Sequence, residues 1–191
     1  MFKQATEKRV AAFFADGLEE CEALVVTDLL YRAGVPCDKV TVTAERTVTS
    51  SHGVGLTCDR SILDEGFDID AYDVIFLPGG MPGTTNLGAC VPLTAAIKGF
   101  AEKGKTVAAI CAAPSILANL GVLDGKFATA NPGFQGALSE AGAHVLQDRV
   151  VEDAPFLTSK GLGTAIDLGL ALVANVLGPA EADALKEQIV Y

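Results

Sequence analysis

The feature that most restricts how this chain folds is an alternation of short apolar runs with longer stretches of helical periodicity. The runs that predict buried strands are RVAAFF (9–14), CDKVTVTA (37–44), YDVIFLPGG (72–80), KTVAAIC (105–111) and APFLTS (154–159). The stretches that predict helices are residues 18–34, 91–104, 113–121, 130–143, 161–178 and 179–191. Because strands and helices alternate, the order indicates an α/β fold with a mainly parallel sheet and helices on both faces.

Functional residues of such a fold are expected at one edge of the sheet, because ligands bind at the carboxyl ends of parallel strands. The segments at these ends are FADGLEE (14–20), LPGGMPG (77–83), AICAAP (109–114) and LTSKGLG (157–163). These four segments are therefore the places where the sequence predicts a site.

Length and charge exclude several classes of protein. The 191 residues suit one domain, for which we expect residues 8–191, with residues 1–7 as a flexible tail. The longest apolar run, LGLALVANVLG, is too short for a membrane span, and the first residues lack the apolar segment of a signal peptide, so a cytoplasmic protein is expected. The net charge is −10 and there is no run of basic residues, so the surface would repel phosphate backbones. We therefore do not expect the protein to bind nucleic acid directly.

The cysteines do not form a recognisable disulfide or zinc pattern. The five are Cys21, Cys37, Cys58, Cys90 and Cys111. Their number is odd, no two have the spacing of a CxxC motif, and both histidines are far from them in sequence. We therefore expect reduced thiols, no metal and no cofactor.

Cys111 is the cysteine whose surroundings suggest chemistry. It lies between a predicted strand and a predicted helix, among alanines, with Pro114 placed where the first helical turn tolerates a missing N–H. A sharp strand-to-helix turn requires small neighbours and exposes the residue at its centre. A thiol at a helix N-terminus is expected to favour the reactive thiolate. The alternative is that Cys111 is a small hydrophobic residue that ends a buried strand.

Glu22 is the carboxylate whose position suggests a role. Val26, Leu29 and Ala33 follow it at helical spacing, so Glu22 shares their apolar stripe and points toward the core or a cleft. A desolvated carboxyl group holds its proton and can exchange it with a nearby group. Glu22 could equally be a solvated acid of a first helical turn, which is the favoured interpretation for Glu19 and Glu20.

Two glycine-rich segments could contact a ligand. Gly79 and Gly80 follow a predicted strand, and their N–H groups could form an oxyanion hole beside Cys111, although a plain turn explains them equally well. The segment GLGTAID (161–167) resembles the start of a dinucleotide fingerprint. It lacks the third glycine and follows the last strand instead of the first, so NAD binding is not expected.

Four motifs together resemble those of a known family. EECEA (19–23), LPGG (77–80), AAICAAP (108–114) and GLGTAIDLGL (161–170) are similar to motifs of the DJ-1/ThiJ/PfpI superfamily, and closest to its DJ-1/YajL branch. The resemblance extends from Lys8 to Gly178. It implies a flavodoxin-like sandwich, similar to class I glutamine amidotransferases, and a homodimer.

The resemblance also implies roles for particular residues. Cys111 would be the reactive, oxidation-sensitive cysteine and Glu22 the acid hydrogen-bonded to it, while the backbone at Gly79, Gly80 and Ala112 would form an anion pocket. Activities of the branch are glutathione-independent glyoxalase activity, deglycation of early glyoxal adducts on protein or nucleotide, and redox-dependent chaperoning.

The chain departs from the family pattern at three positions. Asn131 replaces a histidine that relatives often carry before a proline, so proton transfer would depend on Glu22 alone. His52 replaces an arginine near the dimer interface; it could contact the partner subunit's site, although a surface loop histidine is the favoured interpretation. Leu162 replaces a proline. Arg32 matches a basic residue that relatives keep near the site, and we predict that it helps to bind substrate with Asn131.

Three functions are compatible with these residues. The first is detoxification of reactive dicarbonyls, converting methylglyoxal to lactate, with deglycation as a related activity of Cys111. The second is a redox-regulated stress sensor or chaperone with incidental catalysis. The third, a PfpI-type cysteine peptidase, is disfavoured because Ala112 follows Cys111 where that branch has histidine.

Overall fold

A seven-stranded sheet forms the centre of the protein, whose computed structural model describes residues 2–191. Over these residues the strands, in chain order, are β1 (Val10–Phe14), β2 (Cys37–Thr41), β3 (Thr47–Thr49), β4 (Gly55–Thr57), β5 (Arg60–Ser61), β6 (Val74–Leu77), β7 (Thr106–Ile110), β8 (Phe127–Ala128), β9 (His144–Val145), β10 (Val150–Asp153) and β11 (Phe156–Ser159). The main sheet has the order β10-β11-β7-β6-β1-β2-β5 and is parallel except for the antiparallel pair β10–β11. The predicted α/β fold is confirmed.

Helices cover both faces of this sheet. They are α1 (Glu20–Arg32), α2 (Gly83–Ala89), α3 (Val91–Lys103), α4 (Pro114–Asn119), α5 (Gln135–Glu140), α6 (Ala165–Leu177) and α7 (Pro179–Gln188). Short 3-10 turns precede α5 at Pro132–Phe134 and α6 at Leu162–Thr164. Side chains of α1, α6 and α7 pack on one face, and side chains of α2 to α5 pack on the other.

The central strands are apolar on both faces because both faces are buried. All five residues of β1 are inaccessible to solvent, and successive side chains enter opposite cores. Val10 and Phe14 join the core beneath α1 and α6, whereas Ala11 and Phe13 join the core beneath α3 and α4. This is why these strands appear in the sequence as continuous apolar runs instead of an alternation with polar residues.

The close packing of α1 on α6 depends on Gly169. A Cβ atom added there would collide with Leu29 Cδ1 and lie 3.3 Å from Leu29 Cβ, so any larger residue requires the Leu29 side chain to repack or the two helices to move. The contact matters for function, since α1 carries Glu22 near its first turn.

Several elements were not predicted. Helix α2 has the sequence GTTNLGA, whose glycines and threonines have low helix propensity, and its buried residue Leu87 joins the core. The antiparallel β3–β4 hairpin and the edge strand β10 were also missed. The predicted strand at 37–44 ends at Thr41.

Residues 2–7 contain no helix or strand and contact the end of α1. The Ala5 N–H donates to the Gly34 carbonyl at 2.8 Å, and the Phe2 ring lies 5.1 Å from that of Tyr31. The flexibility predicted for residues 1–7 stays a prediction, and Met1 lies outside the described residues.

No helix in the described part of the chain is both long enough and apolar enough to cross a bilayer. The apolar α6 has only 13 residues, whereas a span requires about 20.

Candidate active site

Cys111 occupies a sharp turn between β7 and α4. Its φ of 65° is left-handed, a conformation that side chains other than glycine rarely adopt and that costs on the order of 1 kcal/mol or more. Its N–H donates to the Ser159 carbonyl and its carbonyl accepts from the Asn131 N–H, both at 2.9 Å. Backbone from the end of β11 and from the segment at Asn131 therefore holds this strained turn, and strain of this kind is typical of functional residues.

The small residues around Cys111 are required by close packing. Ala112 and Ala113 are buried, and a Cβ on Gly79 would lie 2.6 Å from both the Cys111 Cβ and the Glu22 Oε2. The alanines and glycines of AAICAAP and LPGG therefore let a thiol, a carboxyl group and a glycine backbone meet.

Glu22 points into the protein, as the apolar periodicity of α1 predicts. Only 1 % of the residue is exposed, and its Oε2 accepts the Gly79 N–H at 3.0 Å. Its own N–H donates to Glu19 Oε2 at 2.6 Å, so Glu19 caps α1 while Glu22 enters the site. Burial raises the pKa of Glu22 to about 7.

Glu22 and Cys111 share one buried environment, in which each side chain affects the ionisation of the other. Burial, and then the charge of ionised Glu22, raise the pKa of the Cys111 thiol to about 12. The N–H groups of Ala112 and Gly80 lower the pKa of the thiol, but their effect is the smaller one. The expectation that a helix N-terminus alone favours the thiolate is therefore wrong, because α4 has only six residues and the thiol is largely desolvated. The pair titrates as one unit in which the state of each group depends on the other.

Three functional atoms converge on one point beside Gly161. The position that a Cβ would take on Gly161 lies 3.6 Å from Glu22 Oε1, 3.7 Å from Cys111 Sγ and 3.8 Å from Asn131 Nδ2. Asn131 Oδ1 accepts the Gly133 N–H at 3.1 Å, which leaves the amide Nδ2 directed at this point. The structure thus brings together Cys111, Glu22 and Asn131 from three separate segments.

The N–H groups of the two glycines in LPGG have different partners. Gly80, at φ 89°, lies with its N–H near enough to the Cys111 thiol to lower the pKa of that thiol, as does the N–H of Ala112. The Gly79 N–H is already hydrogen-bonded to Glu22. The prediction that this N–H would donate to a substrate oxyanion is therefore wrong. A side chain at Gly80 would collide with the backbone of Leu18 and Glu19, which lies against this loop.

Arg32 does not reach this site within one chain. It is the last residue of α1, ten residues from Glu22, which corresponds to about 15 Å along the helix axis. Its Nε binds Asp28 Oδ2 at 2.6 Å on the exposed surface. The prediction that Arg32 lines the pocket of Cys111 is therefore wrong for the single chain, because similarity to a family motif does not account for the length of the helix.

His52 lies in the β3–β4 loop near the start of α1. Its side chain is 66 % exposed, and its Nδ1 lies 3.0 Å from Glu20 Oε1, a hydrogen bond that raises the pKa of the imidazole. It contacts Glu20 instead of Glu22 or Cys111. Its role toward a partner subunit stays a prediction.

Gly161 and Leu162 belong to LTSKGLG, one of the four strand-end segments where the sequence predicts a site, although the sequence gives Gly161 itself no role. Gly161 faces Glu22, Cys111 and Asn131, and the Leu162 N–H lowers the pKa of Glu22. The segment forms a wall of the cysteine site, as its location at the end of the last parallel strand predicts.

One group of possible metal ligands lies at the start of α1. Ligand atoms of Glu19, Glu20 and Cys21 lie within 4.8 Å of one another. Glu19 caps the helix and Glu20 binds His52, so both carboxylates already have partners. The expectation that the protein has no metal or cofactor stays a prediction.

The fold and site define a flavodoxin-like α/β protein with a cysteine at a strand-to-helix elbow. The sequence profile of the DJ-1/PfpI family matches residues 8–175, and the chain belongs to this family. It is 35 % identical to Arabidopsis thaliana protein DJ-1 homolog B over 93 % of this chain, which spans only 40 % of that relative. It is 30 % identical to the Caenorhabditis elegans protein named glutathione-independent glyoxalase DJR-1.2, over 90 % of this chain and 89 % of the relative.

Solved structures agree with this assignment. Oxidized Toxoplasma gondii DJ-1 superimposes with a TM-score of 0.87 at 32 % identity, covering 96 % of this chain and 98 % of that one. The resemblance seen in the sequence is therefore confirmed at the level of family and fold.

Proposed function

We propose that this protein is a cysteine-dependent enzyme that detoxifies reactive dicarbonyls, converting methylglyoxal to lactate without glutathione. The observation that carries the proposal is the convergence of Cys111 Sγ, Glu22 Oε1 and Asn131 Nδ2 on one point beside Gly161. A relative named as a glutathione-independent glyoxalase, 30 % identical over 90 % of this chain, supports it.

The reaction begins with the shared proton of the Cys111–Glu22 pair. Glu22, whose pKa of about 7 lets it exchange a proton near neutral pH, accepts the thiol proton as Cys111 Sγ attacks the aldehyde carbon. The carbonyl oxygen becomes an oxyanion, which the N–H groups of Gly80 and Ala112 stabilise until Glu22 returns the proton to it. This gives the hemithioacetal and restores the Glu22 carboxylate.

Glu22 then carries out the internal redox step. It removes the hydrogen of the former aldehyde carbon as a proton, which gives an enediolate, and returns this proton to the neighbouring carbon, while the hydroxyl proton of the hemithioacetal passes to the former ketone oxygen. The aldehyde carbon is oxidised to a thioester and the ketone carbon is reduced to an alcohol. Water hydrolyses the thioester, breaks the C–S bond and releases lactate, so one water is consumed.

Asn131 binds the substrate and does not exchange protons with it. Its amide Nδ2 can donate to the ketone oxygen, but an amide is not a base at neutral pH. One acid–base group is sufficient for the route above, because the same proton leaves and returns. Deglycation of early adducts would use the same attack of Cys111 on the adduct carbon.

A redox sensor is the second candidate function. The observation that favours it is that Gly80 and Ala112 N–H groups and a buried acid surround one thiol. These donors could hold the oxygens of a cysteine sulfinate. The oxidized form of the Toxoplasma gondii relative is compatible with such a role.

Lactate formation from methylglyoxal, without glutathione, tests the enzyme. We expect turnover by the wild type and loss of at least 100-fold in Cys111→Ser, because the hydroxyl is a much weaker nucleophile. Cys90→Ser, which changes a partly buried cysteine outside the site, is the matched control and should retain activity. Absence of turnover in the folded, reduced wild type would exclude the enzyme and leave the sensor.

A further inference from the structure

A cavity of about 250 Å³ lies between α2, α4 and the Pro132–Phe134 turn. Its walls include Met81, Gly88, Ser115, Ile116 and Phe134. All its lining residues lie within the described part of the chain, and none of them carries a formal charge. The larger cavities described in the molecule are different, since each is lined by an acidic side chain together with arginine or lysine.

The cavity is built from the same three segments as the cysteine site. Met81 directly follows Gly80, whose N–H faces the Cys111 thiol. Ser115 lies in the first turn of α4, the helix that Cys111 precedes. Phe134 ends the turn that Asn131 caps. Each of the three segments that form the cysteine site therefore continues, within a few residues, into the wall of the cavity.

The lining determines which groups can enter. Met81, Ile116 and Phe134 offer apolar surface, whereas a charged group would lose its hydration without gaining a partner of opposite charge. The volume accommodates a phenyl ring. The single methyl group of methylglyoxal is too small to fill it.

We propose that this cavity is a specificity pocket that binds the bulky uncharged substituent of a 2-oxoaldehyde held at Cys111. This pocket rests on the proposed function. Its substrates would be dicarbonyls that carry neutral aryl or branched alkyl groups. Such a substrate would react as methylglyoxal does: water is consumed, the aldehyde carbon becomes a carboxylate, and the ketone carbon becomes a carbinol.

Gly88 provides a variant that fills the cavity without changing the site. A Cβ there would lie 3.6 Å from Ile116 Cγ1, an ordinary contact, so Gly88→Leu places its side chain in the cavity. Gly99→Leu is the matched control, because a Cβ at that helical glycine meets nothing within 4 Å. Both replacements also raise helix propensity.

Turnover of phenylglyoxal and methylglyoxal is compared in these proteins. We expect the wild type to have a kcat/KM at least tenfold higher for phenylglyoxal, and a phenylglyoxal with a para-carboxylate to lose that advantage. Gly88→Leu should lower the ratio of the two kcat/KM values at least fivefold, and Gly99→Leu should leave it unchanged. Equal ratios in all three proteins, or no turnover of either substrate, would overturn the proposal.

Alkylation of Cys111 separates failure of the pocket from failure of the enzyme. N-benzyl-2-iodoacetamide and iodoacetamide react with a thiol in the same way, so their rate ratio reports binding of the benzyl group independently of glyoxalase turnover. We expect Gly88→Leu to lower that ratio at Cys111 at least fivefold relative to Gly99→Leu. A ratio that is equal in both variants, or a Cys111 that reacts with neither reagent, would overturn the pocket even if methylglyoxal is turned over.

Discussion

The chemistry at the residue scale depends on one buried pair, Glu22 and Cys111. Glu22 is 1 % exposed and accepts the Gly79 N–H, while the thiol lies beside the N–H groups of Gly80 and Ala112. Since two negative charges cannot be close together in a desolvated site, the pair loses its second proton only at high pH.

Glu22→Gln should therefore change how Cys111 alkylation depends on pH. Above pH 7 the wild-type Glu22 is ionised and its charge raises the pKa of the thiol, whereas glutamine is neutral at every pH. We expect the variant to react with iodoacetamide roughly tenfold faster near pH 9, which corresponds to about one pKa unit. As the pH falls through 7, Glu22 becomes protonated and the two rates should converge.

The measurement is the rate of carbamidomethylation at Cys111, followed by peptide mass spectrometry from pH 5 to pH 9. Glu20→Gln is the control, because it removes a charge two residues away that contacts His52 and leaves Glu22 in place. Superimposable profiles for Glu22→Gln and the wild type would contradict the pairing.

At the level of helices, the packing of α1 on α6 positions Glu22 for its contact with Cys111. Glu22 lies in the first turn of α1, whose packing on α6 is set by the contact of Leu29 with Gly169. A replacement of Gly169 therefore tests whether this close approach holds α1 in place.

Gly169→Ala should destabilise the protein although alanine is the better helix former. The new Cβ would lie 3.3 Å from the Leu29 Cβ and still closer to its Cδ1, so Leu29 must leave its packed position or the two helices must move apart. We expect a loss of about 1–3 kcal/mol in the free energy of unfolding, measured by urea denaturation.

The control is Gly99→Ala, at a helical glycine whose Cβ would meet open space, and it should stabilise by about 0.5–1 kcal/mol. Equal stabilisation by both replacements would show that α1 and α6 tolerate a larger separation.

At the scale of the whole molecule, we propose that two copies associate through the face that carries the β3–β4 loop and the start of α1. Exposed apolar side chains on this face are Leu24 (39 %) and Val54 (42 %). Family resemblance implies a homodimer in which the region around His52 lies near the interface.

Val54→Glu should weaken this association, because it places a charge in a desolvated contact. Light scattering at micromolar concentration should give about twice the 19.7 kDa of one chain for the wild type and a lower mass for the variant. Leu63→Glu changes an exposed leucine beside β5 and should leave the mass unchanged. A monomeric wild type would contradict the proposed dimer.

Some secondary-structure elements can be predicted from the sequence, and others cannot. The strands β1, β6, β7 and β11 were predicted because burial on both faces produces continuous apolar runs. Helix α2 was missed because GTTNLGA has weak local propensity and is stabilised by tertiary contacts of Leu87. The antiparallel strand β10 was missed because its pairing depends on β11 and not on its own pattern.

The sequence by itself determined the α/β architecture and indicated the turn at Cys111 and the inward direction of Glu22, each beside an alternative that it left open, because these features depend on periodicity or on small residues within a short segment. Only the tertiary structure decided that Gly161 faces Cys111, that the Gly79 N–H is bonded to Glu22, and that Arg32 lies at the far end of α1. These contacts join residues far apart in the chain, and their distances follow from how the elements pack, which local pattern does not encode.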